Sequence, residues 1–166
     1  MLVYPDLVRK NLVSVTQEDL RSLGAKVICV DADNTCIVDA TEEPLDGVKS
    51  WFDLRQAQGF EVVLLSNGGS KRIENVAKKL EIDYAPLALK PLPFSFFKQA
   101  KLHKCKKSEI VMIGDRIFTD ILGANIAGCK SIFVYPYKKE ERIMFFIKTQ
   151  RRLERKILAK YSKNKK

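Results

Sequence analysis

The stretch Lys26-Val-Ile-Cys-Val-Asp31-Ala-Asp33-Asn-Thr35 decides the fold. Val27 to Val30 are all apolar, and three of the four are β-branched. An apolar run without alternation is the pattern of a parallel strand buried on both faces, since a strand with one wet side would alternate. This strand then runs directly into two acids and a threonine. In open parallel sheets, ligands bind beyond the carboxyl ends of the strands, so those three residues fall where chemistry is expected.

The same pattern recurs outward from it. Thr16 to Leu23 reads as a short helix, with Thr16 as cap, Asp19 in the third helical position and Gly24 as stop. Pro44 or Leu45 to Gln58 reads as a helix ended by Gly59, and Phe60 to Leu65 as the second strand. Ser70 is expected to cap a helix reaching Leu80, with Ile73, Val76, Ala77 and Leu80 on one face. A short third strand is placed at Ala85 to Leu89, a helix at Phe94 to Leu102, a fourth strand at Glu109 to Ile113 and a fifth at Lys130 to Tyr135. Between the last two lies a helix ending near Gly128. Strand and helix alternate throughout, which predicts an α/β domain: three layers, α/β/α, around a parallel, Rossmann-like, five-stranded sheet. Trp51 and Phe52 are read as core residues.

The strand ends carry a consistent chemistry. The first ends in Asp31, Asp33 and Thr35, and the second in Ser66-Asn67-Gly68-Gly69. The third loop offers Lys90-Pro91, and the fourth strand ends in Gly114-Asp115, followed by Thr119 and Asp120. An acid after a strand is by itself most often a turn or cap residue; four strand ends that all carry suitable groups argue otherwise. Carboxylates gathered a few ångströms apart repel one another unless something positive sits among them. A hard divalent cation with oxygen ligands meets that need, and Mg²⁺ favours a few carboxylates plus phosphate and water. Lys90 and Ser66 can hold phosphate oxygens, one as a charge and the other as a donor. The set suits phosphoryl transfer, with one carboxylate attacking phosphorus and a neighbour moving the protons.

Asp31-x-Asp33-x-Thr35, Ser66, Lys90 and Gly114-Asp115-x-x-x-Thr119-Asp120 resemble the four motifs of the haloacid dehalogenase-like (HAD) hydrolases over about residues 26 to 136. With Ser66-Asn67, Lys90-Pro91 and a late Arg151-Arg-Leu-Glu-Arg155-Lys-Ile-Leu158, the likeness narrows to the YqeG-type phosphatases of class IIIA. The resemblance implies a HAD-like fold with Asp31 as nucleophile and Mg²⁺ ligand, and Asp33 as acid/base and ligand through its carbonyl. Ser66, Asn67 and Lys90 would hold the phosphoryl group and Asp115 the metal, with Thr35, Thr119 and Asp120 in support. Fungal relatives dephosphorylate phosphatidylglycerophosphate, so the resemblance makes that lipid the leading substrate. Cys36, where a leucine is usual, and Gly68-Gly69, where bulkier polar residues are common, depart from the family pattern. The intervals between Asp33 and Ser66 and between Ser66 and Lys90 are each filled by one helix and one strand. No cap domain is therefore expected, and the site should be open to a bulky phosphomonoester.

Composition narrows the remaining choices. The chain has 166 residues, 46% hydrophobic and 30% charged, with Gly 8 and Pro 6, which fits one globular domain. No apolar run approaches the length of a bilayer span and no secretory signal is visible, so a cytoplasmic protein is expected, with Cys29, Cys36, Cys105 and Cys129 as reduced thiols. The net charge of +10 is lopsided. Residues 1–136 carry 18 Lys/Arg against 17 Asp/Glu, whereas residues 137–166 carry 12 against 3. A phosphatase domain at 1–136 is thus expected to bear a basic amphipathic helix or tail at 137–166. Ile143, Phe146, Ile147, Leu153, Ile157 and Tyr161 would form its apolar stripe. That stripe packs on the domain's own sheet or on a second subunit, or else lies on the inner face of an anionic membrane.

A receiver domain would need an acceptor aspartate where Ser66 stands, and Ser66-Asn-Gly-Gly-Ser-Lys71 lacks the spacing of a phosphate loop. His103, between lysines, reads as a surface residue. The competitor from another class is a binding protein that uses the basic tail on RNA or a ribosomal partner. Nucleic acid is the less favoured ligand, because a complete set of catalytic groups argues against a scaffold without activity.

Overall fold

A computed structural model describes residues 2–137 and 145–164. Six parallel strands form one sheet: β1 (Leu7–Arg9), β2 (Val27–Val30), β3 (Glu61–Leu65), β4 (Asp83–Ala85), β5 (Ile110–Gly114) and β6 (Lys130–Val134). Their spatial order is β1-β6-β5-β2-β3-β4. The helices are α1 (Gln17–Ser22), α2 (Val48–Ala57), α3 (Ser70–Leu80), α4 (Phe94–Leu102), α5 (Leu122–Ala127) and α6 (Phe145–Asn164).

The unbroken apolar strands do face two cores. Ile28, Val30, Val62, Leu64, Val111 and Ile113 point to the side covered by Leu20, Trp51, Phe52, Ile73 and Val76. Val27, Cys29, Val63, Leu65, Ile110 and Met112 point to the other, covered by Phe96, Ala124 and Ala127. This is the three-layer arrangement, with β2 central and its carboxyl end at the middle of the sheet edge. Between Asp33 and Ser66 lie α2 and β3, and between Ser66 and Lys90 lie α3 and β4, so no cap domain is inserted.

Several boundaries differ from the sequence expectation. The sheet has a sixth strand, β1, whose three half-buried residues lie outside any recognisable apolar run. Its pairing is made by tertiary contacts at its start. Asp6 N donates to the Ser131 carbonyl at 2.9 Å, and Ser131 N donates to the Asp6 carboxylate at 2.9 Å. β4 covers Asp83–Ala85 rather than Ala85–Leu89, because Pro86 cannot donate to a ladder. α2 starts at Val48, since Pro44 pairs with Ile37 and Leu45 N donates to the Cys36 carbonyl. Ser70 is the first residue of α3 and Gly69 its cap. The helix before Gly128 is preceded by a π turn over Ile117–Ile121.

Helix α6 packs on the domain through part of the expected stripe: Ile157 and Tyr161 lie on the packed face and Leu153 does not. Leu158 and Tyr161 are buried, and Leu158 joins Ile117, Ile121 and Phe133 in a third apolar cluster, with Ile157 partly buried against it. The Tyr161 hydroxyl donates to the Asp6 carbonyl at 3.0 Å, and its ring meets that of Tyr4 edge-on. Leu153 is 46% exposed and lies off this face, whereas Glu154 is buried. Ile143 and the side chains of Phe146 and Ile147 lie outside the described residues. The register serves both kinds of residue: it buries Leu158 and Tyr161 and also brings Arg151 and Glu154, which must meet partners, to the domain.

Helix α1 supplies a quantitative check. Thr16 Oγ1 accepts from Asp19 N at 3.1 Å, Asp19 Oδ2 accepts from Thr16 N at 3.0 Å, and Arg9 Nε donates to Asp19 Oδ2 at 2.9 Å. Thr16→Ala should cost about 1 kcal/mol in urea unfolding. Arg9 holds the Asp19 carboxyl below its ordinary value, with burial opposing. Its contribution is therefore complete above the unfolded carboxylate value, about 3.9, and is lost as pH falls through the lowered folded value. Asp19→Asn should be less stable than the parent at pH 7 and converge with it in acid. Parallel stability curves for the two proteins would contradict this assignment.

Candidate active site

The sheet edge places each candidate group by a local device. Asp31 follows β2 and keeps its main chain in register, with Asp31 N donating to the Ile113 carbonyl at 2.9 Å. The next residues turn back on Ala32, whose carbonyl accepts from Cys36 N at 2.8 Å and Ile37 N at 3.1 Å. Asn34 adopts a φ of +60°, which asparagine tolerates better than most residues. Cys36, buried beneath, donates from Sγ to the Asp31 carbonyl at 3.0 Å. The turn sends Asp31 and Asp33 to different partners.

Asp31 meets Lys90, whose Nζ lies 2.6 Å from Asp31 Oδ1 and 2.7 Å from Asp120 Oδ1. Lys90 is only 5% exposed and reaches the site along a loop fixed at the main chain. Asn67 makes both bonds of that fixture: Lys90 N donates to Asn67 Oδ1 at 2.8 Å, and Asn67 Nδ2 donates to the Lys90 carbonyl at 2.9 Å. The Lys90–Pro91 peptide is cis. Ser66 sits at the end of β3, its hydroxyl accepting from Gly68 N at 3.0 Å.

Asp33 turns to Arg72 on α3, which grips it with two bonds of 2.7 and 2.8 Å and also donates to the Thr41 carbonyl at 3.0 Å. Asp115 follows β5 and meets Arg151 of α6, at 2.5 Å to its Oδ2 and 2.6 Å to its carbonyl. Glu154, one turn on, accepts from Ile117 N at 2.8 Å and so satisfies a buried N–H at the start of the π turn that has no partner within it. The fourth aspartate of the site, Asp120, accepts from Arg116 N at 3.1 Å and from the Thr119 hydroxyl at 3.3 Å.

Of the residues expected at the site, Asp31, Lys90, Asp115 and Asp120 converge. Asp31, Asp33, Ser66, Asn67, Lys90 and Thr119 line an open cleft of about 170 Å³, together with Asp39 and Arg116. Thr35 is buried to one side and does not line it. Sequence reasoning missed Arg72, for which no spacing is a signal. Arg151 and Glu154 stand in the sequence only within the Arg151–Leu158 likeness, and nothing there ties them to the site.

Burial pushes the Asp31 carboxyl up to about 6, against the lowering by Lys90, and pushes that of Asp115 up to about 8, against Arg151. Burial alone would lower Lys90, but Asp120 and Asp31 outweigh it and raise its ammonium above the ordinary value. Asp31, Asp115 and Asp120 each bring an oxygen within 4.8 Å of the others. Asp115 Oδ1 is buried with no hydrogen-bond partner among the described residues. Oxygen donors that resist ionising together, one of them orphaned, fit a hard divalent cation.

A parallel α/β sheet without a cap, carrying two acids after one strand, Ser after the next, Lys after a third, and two acids after a fourth, defines a hydrolase of the haloacid dehalogenase class. The HAD-hydrolase-like family profile matches residues 88–140. The chain is 30% identical over 155 residues to the probable phosphatase YqeG of Bacillus subtilis, covering 93% of this chain and 89% of that one. The chain belongs to the YqeG-type phosphatase family of HAD-like hydrolases. It is also 26% identical, over 96% of its length, to the chloroplastic/mitochondrial phosphatidylglycerophosphate phosphatase 1 of Arabidopsis thaliana, of which it spans 48%. A solved structure from Listeria monocytogenes serotype 4b shares the fold at a TM-score of 0.57 and 18% identity, covering 72% of this chain and 85% of that one.

Gly114 tests how tightly the site is packed. A Cβ there would lie 2.3 Å from Asp120 Oδ2 and 2.7 Å from Asp120 Cβ. Asp120 is held by Lys90 and by Arg116 N and has little room to retreat. Gly114→Ala should therefore cost about 1–3 kcal/mol in denaturant unfolding. An unchanged midpoint would show that Asp120 is free to move.

Proposed function

We propose that the chain is a Mg²⁺-dependent phosphatase that cleaves a phosphomonoester through an aspartyl-phosphate on Asp31. The convergence of Asp31, Lys90, Asp115 and Asp120 from three separate strand ends carries this reading. Asp31 and Asp115 would hold the ion, with the main-chain carbonyl of Asp33, and Asp120 would support it. When bound, Mg²⁺ supplies positive charge against the phosphoryl oxygens and the gathered carboxylates.

The rest is done by the chain's own groups. The Lys90 ammonium and the Ser66 hydroxyl hold phosphoryl oxygens and orient phosphorus above Asp31. An Asp31 oxygen forms a bond to phosphorus as the ester P–O bond breaks, and Asp33 gives its proton to the departing alcohol oxygen. Asp33 then takes a proton from water, whose oxygen attacks phosphorus. Inorganic phosphate leaves and the Asp31 carboxylate is restored. Arg72 engages both Asp33 oxygens in the structure, so one of these bonds opens when Asp33 carries the proton.

Phosphatidylglycerophosphate is the substrate we favour. It is supported by the name of the Arabidopsis relative and by an open cleft with no cap domain to exclude a bulky headgroup.

Asp31→Asn keeps size but removes the attacking charge. Turnover of an aryl phosphate should fall by about three orders of magnitude or more, with the circular dichroism spectrum unchanged. Near-normal turnover would end the covalent reading. Salt-sensitive RNA retention by a parent protein without turnover would favour a binding protein instead.

The metal is tested separately. Excess chelator should abolish turnover and Mg²⁺ restore it, with Ca²⁺ a poor substitute because it prefers larger and looser coordination. Full activity in chelator would refute a divalent cation at this site.

A further inference from the structure

The segment from β4 through α4 has two faces with different chemistry. Its inward residues serve the site. Ala88 N donates to the Ser66 carbonyl at 2.9 Å, and Lys90 is buried between the carboxylates. Its outward residues are apolar and uncovered. Leu87 is 59% exposed, Leu89 61%, Leu92 48% and Phe94 65%. Leu87 and Leu89 moreover hold φ values of +52° and +54°, a region that branched side chains rarely adopt. The need to turn Ala88 and Lys90 inward accounts for that backbone. It does not account for leucine, since asparagine or glycine would adopt it more readily and leave no apolar side chain in water.

Helix α4 continues the same surface. Phe96 and Gln99 are buried, so positions 94, 97, 98, 101 and 102 face outward together. They are Phe94, Phe97, Lys98, Lys101 and Leu102, all exposed. Between Asp83 and Glu109 the chain has six lysines and no Asp or Glu. Lysines other than Lys90 in this stretch are exposed, so the charge lies on the outside. Ordinary surfaces intersperse both signs and limit contiguous apolar area. A segment that is apolar and cationic at once, with no acid of its own, is complementary to an anionic lipid surface, whose headgroups meet the lysines and whose acyl boundary takes the leucines and phenylalanines. Nucleic acid would use the lysines but gives the three leucines of the loop nothing to bind.

We propose that this loop–helix face, Leu87 to Leu102, seats the protein on an anionic bilayer with the phosphate cleft beside the contact. The proposal rests on the phosphomonoester reading of the site for its consequence: the substrate phosphate is presented by a lipid, and Lys90 reads it from a loop whose neighbours rest in that lipid. It differs from a membrane contact through α6, which turns Arg151, Glu154 and Tyr161 toward the domain.

The test compares the full chain with Leu92→Ser/Phe94→Ser and with Lys98→Glu/Lys101→Glu. Sedimentation with phosphatidylglycerol and with phosphatidylcholine vesicles is read beside turnover of a soluble aryl phosphate. The parent should bind phosphatidylglycerol vesicles, be released by salt and ignore phosphatidylcholine. Each double variant should bind about tenfold more weakly or worse. Turnover of the aryl phosphate should stay within about twofold of the parent in both. Failure of the parent to bind anionic vesicles overturns the proposal, as does parent-like binding by both variants. Concentration-dependent dimerisation of the parent that both variants lose, without vesicle binding, overturns it in favour of a second copy of the chain. Vesicle binding that depends on these residues, in a protein without phosphatase turnover, supports the surface and refutes the reading of the site.

Discussion

The buried ammonium of Lys90 is the interaction on which the site depends. It carries a full charge at 5% exposure and is stable there only because Asp31 and Asp120 close on it at 2.6 and 2.7 Å. A buried ion with its partners removed is far more costly than the pair itself. The three groups therefore hold one another and, with them, the carboxyl ends of β2 and β5 and the loop after β4. Asn67 extends the constraint to β3 by bonding both main-chain groups of Lys90. Four segments distant in sequence are locked together by one cation.

A second cation does the same work at the sheet's other shoulder. Arg151 reaches from α6 to both the carboxylate and the carbonyl of Asp115, while Glu154 takes the free N–H of Ile117 at the head of the π turn. The C-terminal helix thus contributes charge balance to the catalytic edge as well as apolar cover through Leu158 and Tyr161. Positive side chains beside each pair of acids keep a crowded anionic edge foldable, yet Asp115 retains one oxygen without a partner among the described residues. Such an edge is stable and still able to accept a hard cation.

The absence of a cap shifts the problem of substrate selection to the rim. In this chain the rim after β4 is exposed, apolar and lysine-rich, and it adjoins the residue that would grip phosphate. Among the described residues no helix is long and apolar enough to cross a membrane. A substrate carried on a surface would be met by docking beside the cleft, and the charge asymmetry of the loop–helix segment suits that mode better than a closed pocket does.

Much of this was legible in the linear chain. The apolar runs of β2, β3, β5 and β6 and the groups that follow them determined a parallel α/β sheet with Asp31, Lys90, Asp115 and Asp120 at one edge, because backbone periodicity and strand polarity are local properties. β1 was not legible: three half-buried residues carry no periodic signal, and their pairing comes from Asp6 meeting Ser131 far along the chain. The partners of the acids were equally hidden. Arg72 and Arg151 look like ordinary helix-surface bases in sequence, and only the packing of α3 and α6 brings them to Asp33 and Asp115. The face of α6 was legible only in part. Ile157 and Tyr161 of its apolar stripe meet the domain, whereas Leu153 is exposed and Arg151, Glu154 and Leu158 share the packed face, because Arg151 and Glu154 find their partners there. The sequence by itself determined which groups stand at the edge of the sheet; tertiary packing decided which charges they meet, because ion pairs between distant segments depend on distances that no local pattern encodes.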